Sequence, residues 1–169
     1  MTFVGIISVI RWGVKRSPWI LHFNTGACNG CDIEVLAAIT PFYDPERYGV
    51  KLSPSPRHAD IIVVTGLVTR KAAERLKRIY EQIPEPKVVV AIGTCAISGG
   101  VFQGSYAHHG GVDRVIPVDV YIPGCPPRPD AILKGLLEAV EVLEEKAKIV
   151  ERTATPTTYR TSVAATNGG

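Results

Sequence analysis

The residues with the most chemical potential in this chain are its four cysteines. Two form the pair Cys28-x-x-Cys31, and Cys95 and Cys125 stand far downstream. A CxxC pair offers two thiolates to one metal centre, and two cysteines from distant loops can complete a set of four. Four thiolates suit an iron–sulfur cluster, and they suit a structural zinc ion as well. Glycines flank the cysteines: Gly26 and Gly30 around the pair, Gly93 with Thr94 before Cys95, and Gly124 before Cys125. Small residues let backbone N–H groups approach cluster sulfur, and such bonds help to set a reduction potential. Cys125 is followed by proline, as at the end of a bacterial ferredoxin cysteine run. Structural zinc more often uses two compact knuckles, and no second CxxC is present. These features favour iron–sulfur and leave structural zinc open, together with three further rivals. A thioredoxin-type dithiol at 28–31 leaves Cys95 and Cys125 unexplained. Two disulfides need an oxidising compartment. Four unrelated buried thiols need no site at all.

Other reactive side chains have plainer readings. Glu34 lies three residues past Cys31 and on a helix would share its face, to tune a centre or handle protons, or simply to complement the helix dipole. Arg57 and His58 precede a buried strand in a Pro-rich loop, either lining a contact with another chain or exposed. His108 and His109 read as solvated loop histidines, and His22 as a core or interface histidine. The stretch Gly93 to Gly100 lacks the Gly-Lys-Ser/Thr ending of a phosphate loop. No Ser/His/Asp set stands out.

Buried strands and helices must position the cysteines. Ile61-Ile62-Val63-Val64 and Val88-Val89-Val90 are continuous apolar runs of the kind buried on both sheet faces. Further strands are expected at Pro18–Phe23, Gly49–Leu52 and within Val115–Ile122. Helices are expected at Cys31–Ile39, Thr69–Gln82 and Asp130–Lys148, with a long Gly-rich loop from Gly93 to Gly111. Acids in the first turn of the helix after the pair, Asp32 and Glu34, favour its dipole. Strands alternating with helices predict an α/β fold, a flavodoxin-like, doubly wound parallel sheet. Ligands in such folds sit at the carboxyl ends of strands. Cys28, Cys95 and Cys125 each follow an expected strand, with Cys31 three residues beyond the first.

The whole chain narrows the setting. At 169 residues, with 46% hydrophobic content, it fits one domain with its own core. A formal net charge of +3 is too small to argue for nucleic acid. The longest uncharged run, Val88 to Val112, is rich in glycine and makes a poor transmembrane helix. The apolar start lacks the basic leader of a secretory signal, so a reducing cytosolic setting is expected. Residues 1–16 read as an apolar-then-basic lead, 17–150 as the α/β domain that carries the site, and 151–169 as a disordered tail.

The motifs carry a resemblance. Gly-Ala-Cys28-Asn-Gly-Cys31-Asp-Ile-Glu34 resembles the first cluster motif of [NiFe]-hydrogenase small subunits, above all those of membrane-bound energy-converting complexes. Arg47-Tyr-Gly-Val, Ser55-Pro-Arg57-His-Ala-Asp60, Gly93-Thr-Cys95-Ala-Ile-Ser-Gly-Gly100 and Val118-Asp-Val-Tyr-Ile-Pro-Gly-Cys125-Pro-Pro are similar to the 20 kDa (B-type) subunit of respiratory complex I. The match spans about residues 17–147. It implies one [4Fe-4S] cluster held by Cys28, Cys31, Cys95 and Cys125, the last in an electron relay to a pocket at the boundary with a large catalytic subunit. It also implies a ferredoxin-like cluster-carrying subunit, membrane subunits, and a peripheral place on the cytoplasmic side of the membrane. The complex I subunit usually has adjacent cysteines at the first motif, whereas this chain has CxxC. The resemblance therefore leans to a membrane-bound hydrogenase-type complex or a ferredoxin-linked sulfur reductase.

Overall fold

The computed structural model describes residues 12–13 and 16–154, with side chains described up to Val150. Most of the expected lead, and residues 155–169 of the expected tail, lie outside the described residues. Five strands form the sheet: β1 (Trp19–Asn24), β2 (Lys51–Leu52), β3 (Ile61–Thr65), β4 (Val88–Ile92) and β5 (Val120–Ile122). All pairings are parallel, in the order β2-β1-β3-β4-β5. This is the flavodoxin-like order, with its switch point between β1 and β3.

Both central strands are buried along their full length. Successive side chains of a strand point to opposite faces, so Ile61 and Val63 enter one apolar layer while Ile62 and Val64 enter the other. The first layer is closed by α1 (Gly30–Ile39) and α4 (Pro129–Ala154), through Val35, Ala38, Ile132, Leu136 and Leu143. The second is closed by α2 (Arg70–Gln82) and α3 (Thr94–Ser98), through Ala73, Leu76 and Ala96, with Val112 and Ile116 beside them. Thr69 caps α2, its hydroxyl accepting from the Ala72 N–H at 3.3 Å.

Three boundaries differ from the sequence reading. The stretch from Gly93 to Gly111 is not a continuous loop: α3 lies inside it, delimited by Gly93 and Gly99, both at positive φ. Only Val120–Ile122 of the expected final strand pairs. Pro117 has no N–H for a ladder, and Val112–Arg114 forms a 3-10 turn that buries Val112. The closing helix runs to Ala154 and so takes in residues 151–154. Among the described residues no helix is long and apolar enough to cross a membrane.

Candidate metal centre

All four cysteines are free thiols at the carboxyl-terminal edge of the sheet. Cys28 and Cys31 follow β1, Cys95 follows β4, and Cys125 follows β5. Cys31 is buried, Cys95 half-buried, and Cys28 and Cys125 exposed. The site is thus a rim: one sulfur lies in the core and the others face outward.

Contacts between loops draw the rim together. A β-carbon on Gly93 would lie 2.5 Å from the Cys31 sulfur and 3.5 Å from the Gly124 carbonyl oxygen. Gly93 therefore clears the seat of the buried thiol, at a φ of +88° that side chains rarely adopt. A β-carbon on Gly30 would be 3.5 Å from the Cys28 sulfur and 3.8 Å from Pro126, which sets the CxxC loop beside the residue after Cys125. Gly93 N–H donates to the Ile122 carbonyl at 2.9 Å, and Thr94 N–H to the Gly124 carbonyl at 2.8 Å. The Thr94 hydroxyl donates to the same Gly124 oxygen at 3.1 Å. These bonds lock the Cys95 loop to the Cys125 loop. Gly26 N–H donates to Asn24 Oδ1 at 2.8 Å. The N–H groups of Gly26, Gly93 and Thr94 are thus engaged within the protein, and these residues shape the rim without aiming a donor into it. Gly26 sits against Thr69 and Leu67.

Electrostatics reports the same convergence. Burial, then the charges of Cys95, Cys28, Asp32 and Cys125, push the Cys31 thiol up to about 11. Burial, then Cys125 and Cys28, push Cys95 up as well. Four thiolates brought this close repel one another, and a bound cationic centre relieves that repulsion. Free thiols, a cleared seat and interlocked loops suit a group held by four thiolates. Among the described residues, no group of three or more His, Cys, Asp or Glu side chains is placed to hold a metal ion.

The other expected site residues separate. Glu34 is half-buried on α1. Arg57 and His58 lie in a 3-10 turn before β3, at the sheet edge opposite the cysteines, where the His58 ring is 5.9 Å from that of Trp19. His108 is not a free loop histidine. Its Nδ1 accepts from the Gly110 N–H at 2.8 Å and its Nε2 meets the Phe102 carbonyl. His22 is half-buried and bonded to Thr65.

Sequence reasoning missed a polar group behind the rim. The Asp32 carboxylate turns toward the strand ends, to Asn24, His22 and Thr65, and so does more than complement the helix dipole. Asn24 and Thr65 end adjacent strands, in register with each other, and that position was the available signal.

The chain is similar to known proteins. The sequence profile of the family described as NADH ubiquinone oxidoreductase, 20 Kd subunit, matches residues 28–139. The chain is 58% identical over 135 residues to the probable membrane-bound hydrogenase subunit mbhJ of Pyrococcus furiosus, covering 80% of this chain and 81% of that one. It is 47% identical over 149 residues to the B-type subunit of the NADH-quinone oxidoreductase of Bacteroides thetaiotaomicron, covering 87% of this chain and 72% of that one. Among solved structures it resembles a chain of the membrane-bound sulfane sulfur reductase (MBS), an archaeal respiratory membrane complex. That match has a TM-score of 0.71 and 41% identity, covering 81% of this chain and 76% of that chain.

Proposed function

Since the chain belongs to the NADH ubiquinone oxidoreductase 20 Kd subunit family, a family of oxidoreductase-complex subunits, we propose that Cys28, Cys31, Cys95 and Cys125 hold one [4Fe-4S] cluster. On this reading the chain carries the terminal cluster of a membrane-associated, ferredoxin-linked complex and passes electrons to a catalytic site at the boundary with a large subunit. The observation that carries it is the convergence of four free thiols from the ends of three parallel strands onto one rim.

When bound, such a cluster supplies a one-electron carrier whose potential follows its charge, hydrogen bonds and exposure. The protein's part is to hold and shield. Cys31 binds from within the core, and Gly93 leaves room for its sulfur. Cys28, Cys95 and Cys125 close the outer corners. Gly26, Gly30, Thr94 and Gly124 keep the three loops in place. Residues 17–154, through the end of α4, are the cluster-carrying unit.

A partner surface supports the subunit reading. On one side of the sheet α1 exposes Ile33 and Leu36, with Phe42 following, and on the other the loop after α3 exposes Val101, Phe102 and Tyr106. Apolar side chains grouped on a surface mark contact sites. The large catalytic subunit would cover them, with a ferredoxin-like cluster-carrying subunit and membrane subunits elsewhere in the complex. The chain would then sit peripherally on the cytoplasmic side. The Cys28-x-x-Cys31 spacing and the higher identity to the hydrogenase subunit favour proton reduction to hydrogen or sulfane sulfur reduction over quinone reduction.

Anaerobic purification of the chain with its partners tests this. Roughly four irons per chain and an electron paramagnetic resonance signal on reduction are expected. Stoichiometric zinc without a chromophore would replace the reading with a zinc-stabilised interaction module. The sequence of the co-purifying large subunit decides the acceptor: two intact CxxC pairs indicate a nickel–iron centre, and their loss indicates sulfur or quinone.

A further inference from the structure

Asp32 follows the buried thiol of Cys31 directly, and its side chain is only 13% exposed. A carboxylate in that setting needs donors, and the strand ends supply them. The Thr65 hydroxyl donates to Oδ1 at 2.5 Å. His22 Nε2 lies 2.9 Å from the same oxygen and 3.1 Å from Thr65 Oγ1. Asn24 Nδ2 donates to Oδ2 at 2.6 Å. Thr65 ends β3, whereas His22 and Asn24 belong to β1, so one carboxylate bridges two strands and the first turn of α1.

Asn24 extends the bridge. While its amide holds Asp32, its carbonyl accepts from the Gly26 and Ala27 N–H groups at 2.8 and 3.0 Å. One side chain therefore grips both ends of the loop that carries Cys28 and Cys31. The helix offers no equivalent restraint: Asn29 at its N-terminus has a φ of +68° and makes no side-chain capping bond.

We propose that Asp32 is the positioning residue of this centre: through Asn24, His22 and Thr65 it clasps the loop bearing Cys28 and Cys31, and its negative charge lowers the potential of the cluster they hold. The clasp stands on hydrogen-bond geometry, and the effect on potential rests on the cluster reading above. A fixed negative charge beside a ligand disfavours adding an electron, and outer groups that orient ligands are a known lever on metal sites.

The partner-bound complex tests both parts. In Asp32→Asn the charge is lost while Thr65 keeps an acceptor. The one-electron reduction equilibrium should move at least tenfold toward reduction, a rise of about 59 mV, read by redox titration of the resonance signal. Thr65→Val keeps the charge and removes a donor that damps it, so the potential should move the other way. Asn24→Ala keeps the charge, removes another donor to it and opens the clasp, so a chelator should strip iron faster and the potential should move in the same direction as in Thr65→Val. Faster hydrogen exchange at the Gly26 and Ala27 amides is expected in both Asn24→Ala and Asp32→Ala, and not in Asp130→Ala, which alters an exposed first-turn carboxylate on α4.

An unchanged potential in iron-replete Asp32→Asn overturns the charge role. Unchanged exchange at Gly26 and Ala27 in Asp32→Ala overturns the clasp, whether or not the variant assembles with iron. Absence of iron from the unaltered complex would overturn the cluster reading and the potential shift together, and the exchange data would still judge the clasp.

Discussion

Gly93 and Cys31 meet so closely that a β-carbon on Gly93 would stand 2.5 Å from the Cys31 sulfur. They are neighbours only because β1 and β4 deliver their carboxyl ends to the same edge of the sheet with β3 between them. Gly93→Ala should strain the backbone by about 1–3 kcal/mol and displace the buried thiol, lowering both melting temperature and iron content. Gly104 is the control: its φ is +89°, with nothing within 4 Å of its absent β-carbon. Gly104→Ala should lose only about 1–2 kcal/mol and keep its iron. Equal iron loss in both would show that the contact at Gly93 does not matter.

Lys87 is buried, and its ammonium donates to the Tyr80 and Ile83 carbonyls at 3.0 and 3.2 Å. It also pairs with Glu85 at 3.2 Å and lies 4.0 Å over the Tyr80 ring. Lys87→Met preserves bulk and leaves carbonyls at the end of α2 without this donor. A loss of about 1–3 kcal/mol is expected from chemical denaturation. Lys148→Met breaks an exposed i,i+4 pair with Glu144 at 3.4 Å and should change stability by less than about 0.5 kcal/mol.

Asp60 gives a pH dependence. Burial raises its carboxyl above the ordinary carboxylate value, and the bond from Trp19 N–H, at 2.9 Å, only partly opposes this. A carboxyl raised on folding binds its proton more tightly in the native state. Its stabilising contribution is therefore complete below the unfolded value and lost as pH rises through the folded value. Asp60→Asn retains an acceptor for Trp19 without the buried charge. Thermal melts should show the variant gaining on the parent at neutral pH, with the difference closing as pH falls toward the carboxylate range. A constant difference across pH would remove Asp60 as the cause.

His108 holds the loop after α3 by both ring nitrogens, with Gly110 N–H on one and the Phe102 carbonyl on the other. Its ring also lies 3.4 Å from where a β-carbon of Gly99 would be. His108→Leu keeps some bulk and no polar atom. Amide exchange at Gly110 should accelerate and the loop from 99 to 110 should become protease-sensitive, while the exchange of β3 and β4 stays unchanged.

Much of the architecture was readable locally. Ile61–Val64 and Val88–Val90 announce doubly buried strands because burial on both faces leaves no polar alternation to see. α2 is legible from its charged, amphipathic pattern and its Thr69 cap. α3 was hidden: five residues between two glycines carry too short a period to detect. The Val115–Pro117 segment has a strand's composition, yet its proline lacks the ladder donor and Ile116 is buried against the second apolar layer.

The sequence by itself determined which four side chains can make a centre, because cysteines set among glycines and strand ends are a local chemical statement. It also determined the class of sheet, because strand burial is written in runs of neighbouring residues. Only the tertiary structure decided which loops share the rim, that Gly93 seats the Cys31 sulfur, and that Asp32 faces Asn24, His22 and Thr65. Asp32 and Thr65 are 33 positions apart, and a first-turn aspartate looks the same from its neighbours whether it meets water or a strand end. Their pairing follows from the order of strands in the sheet, which depends on how all the apolar faces pack at once.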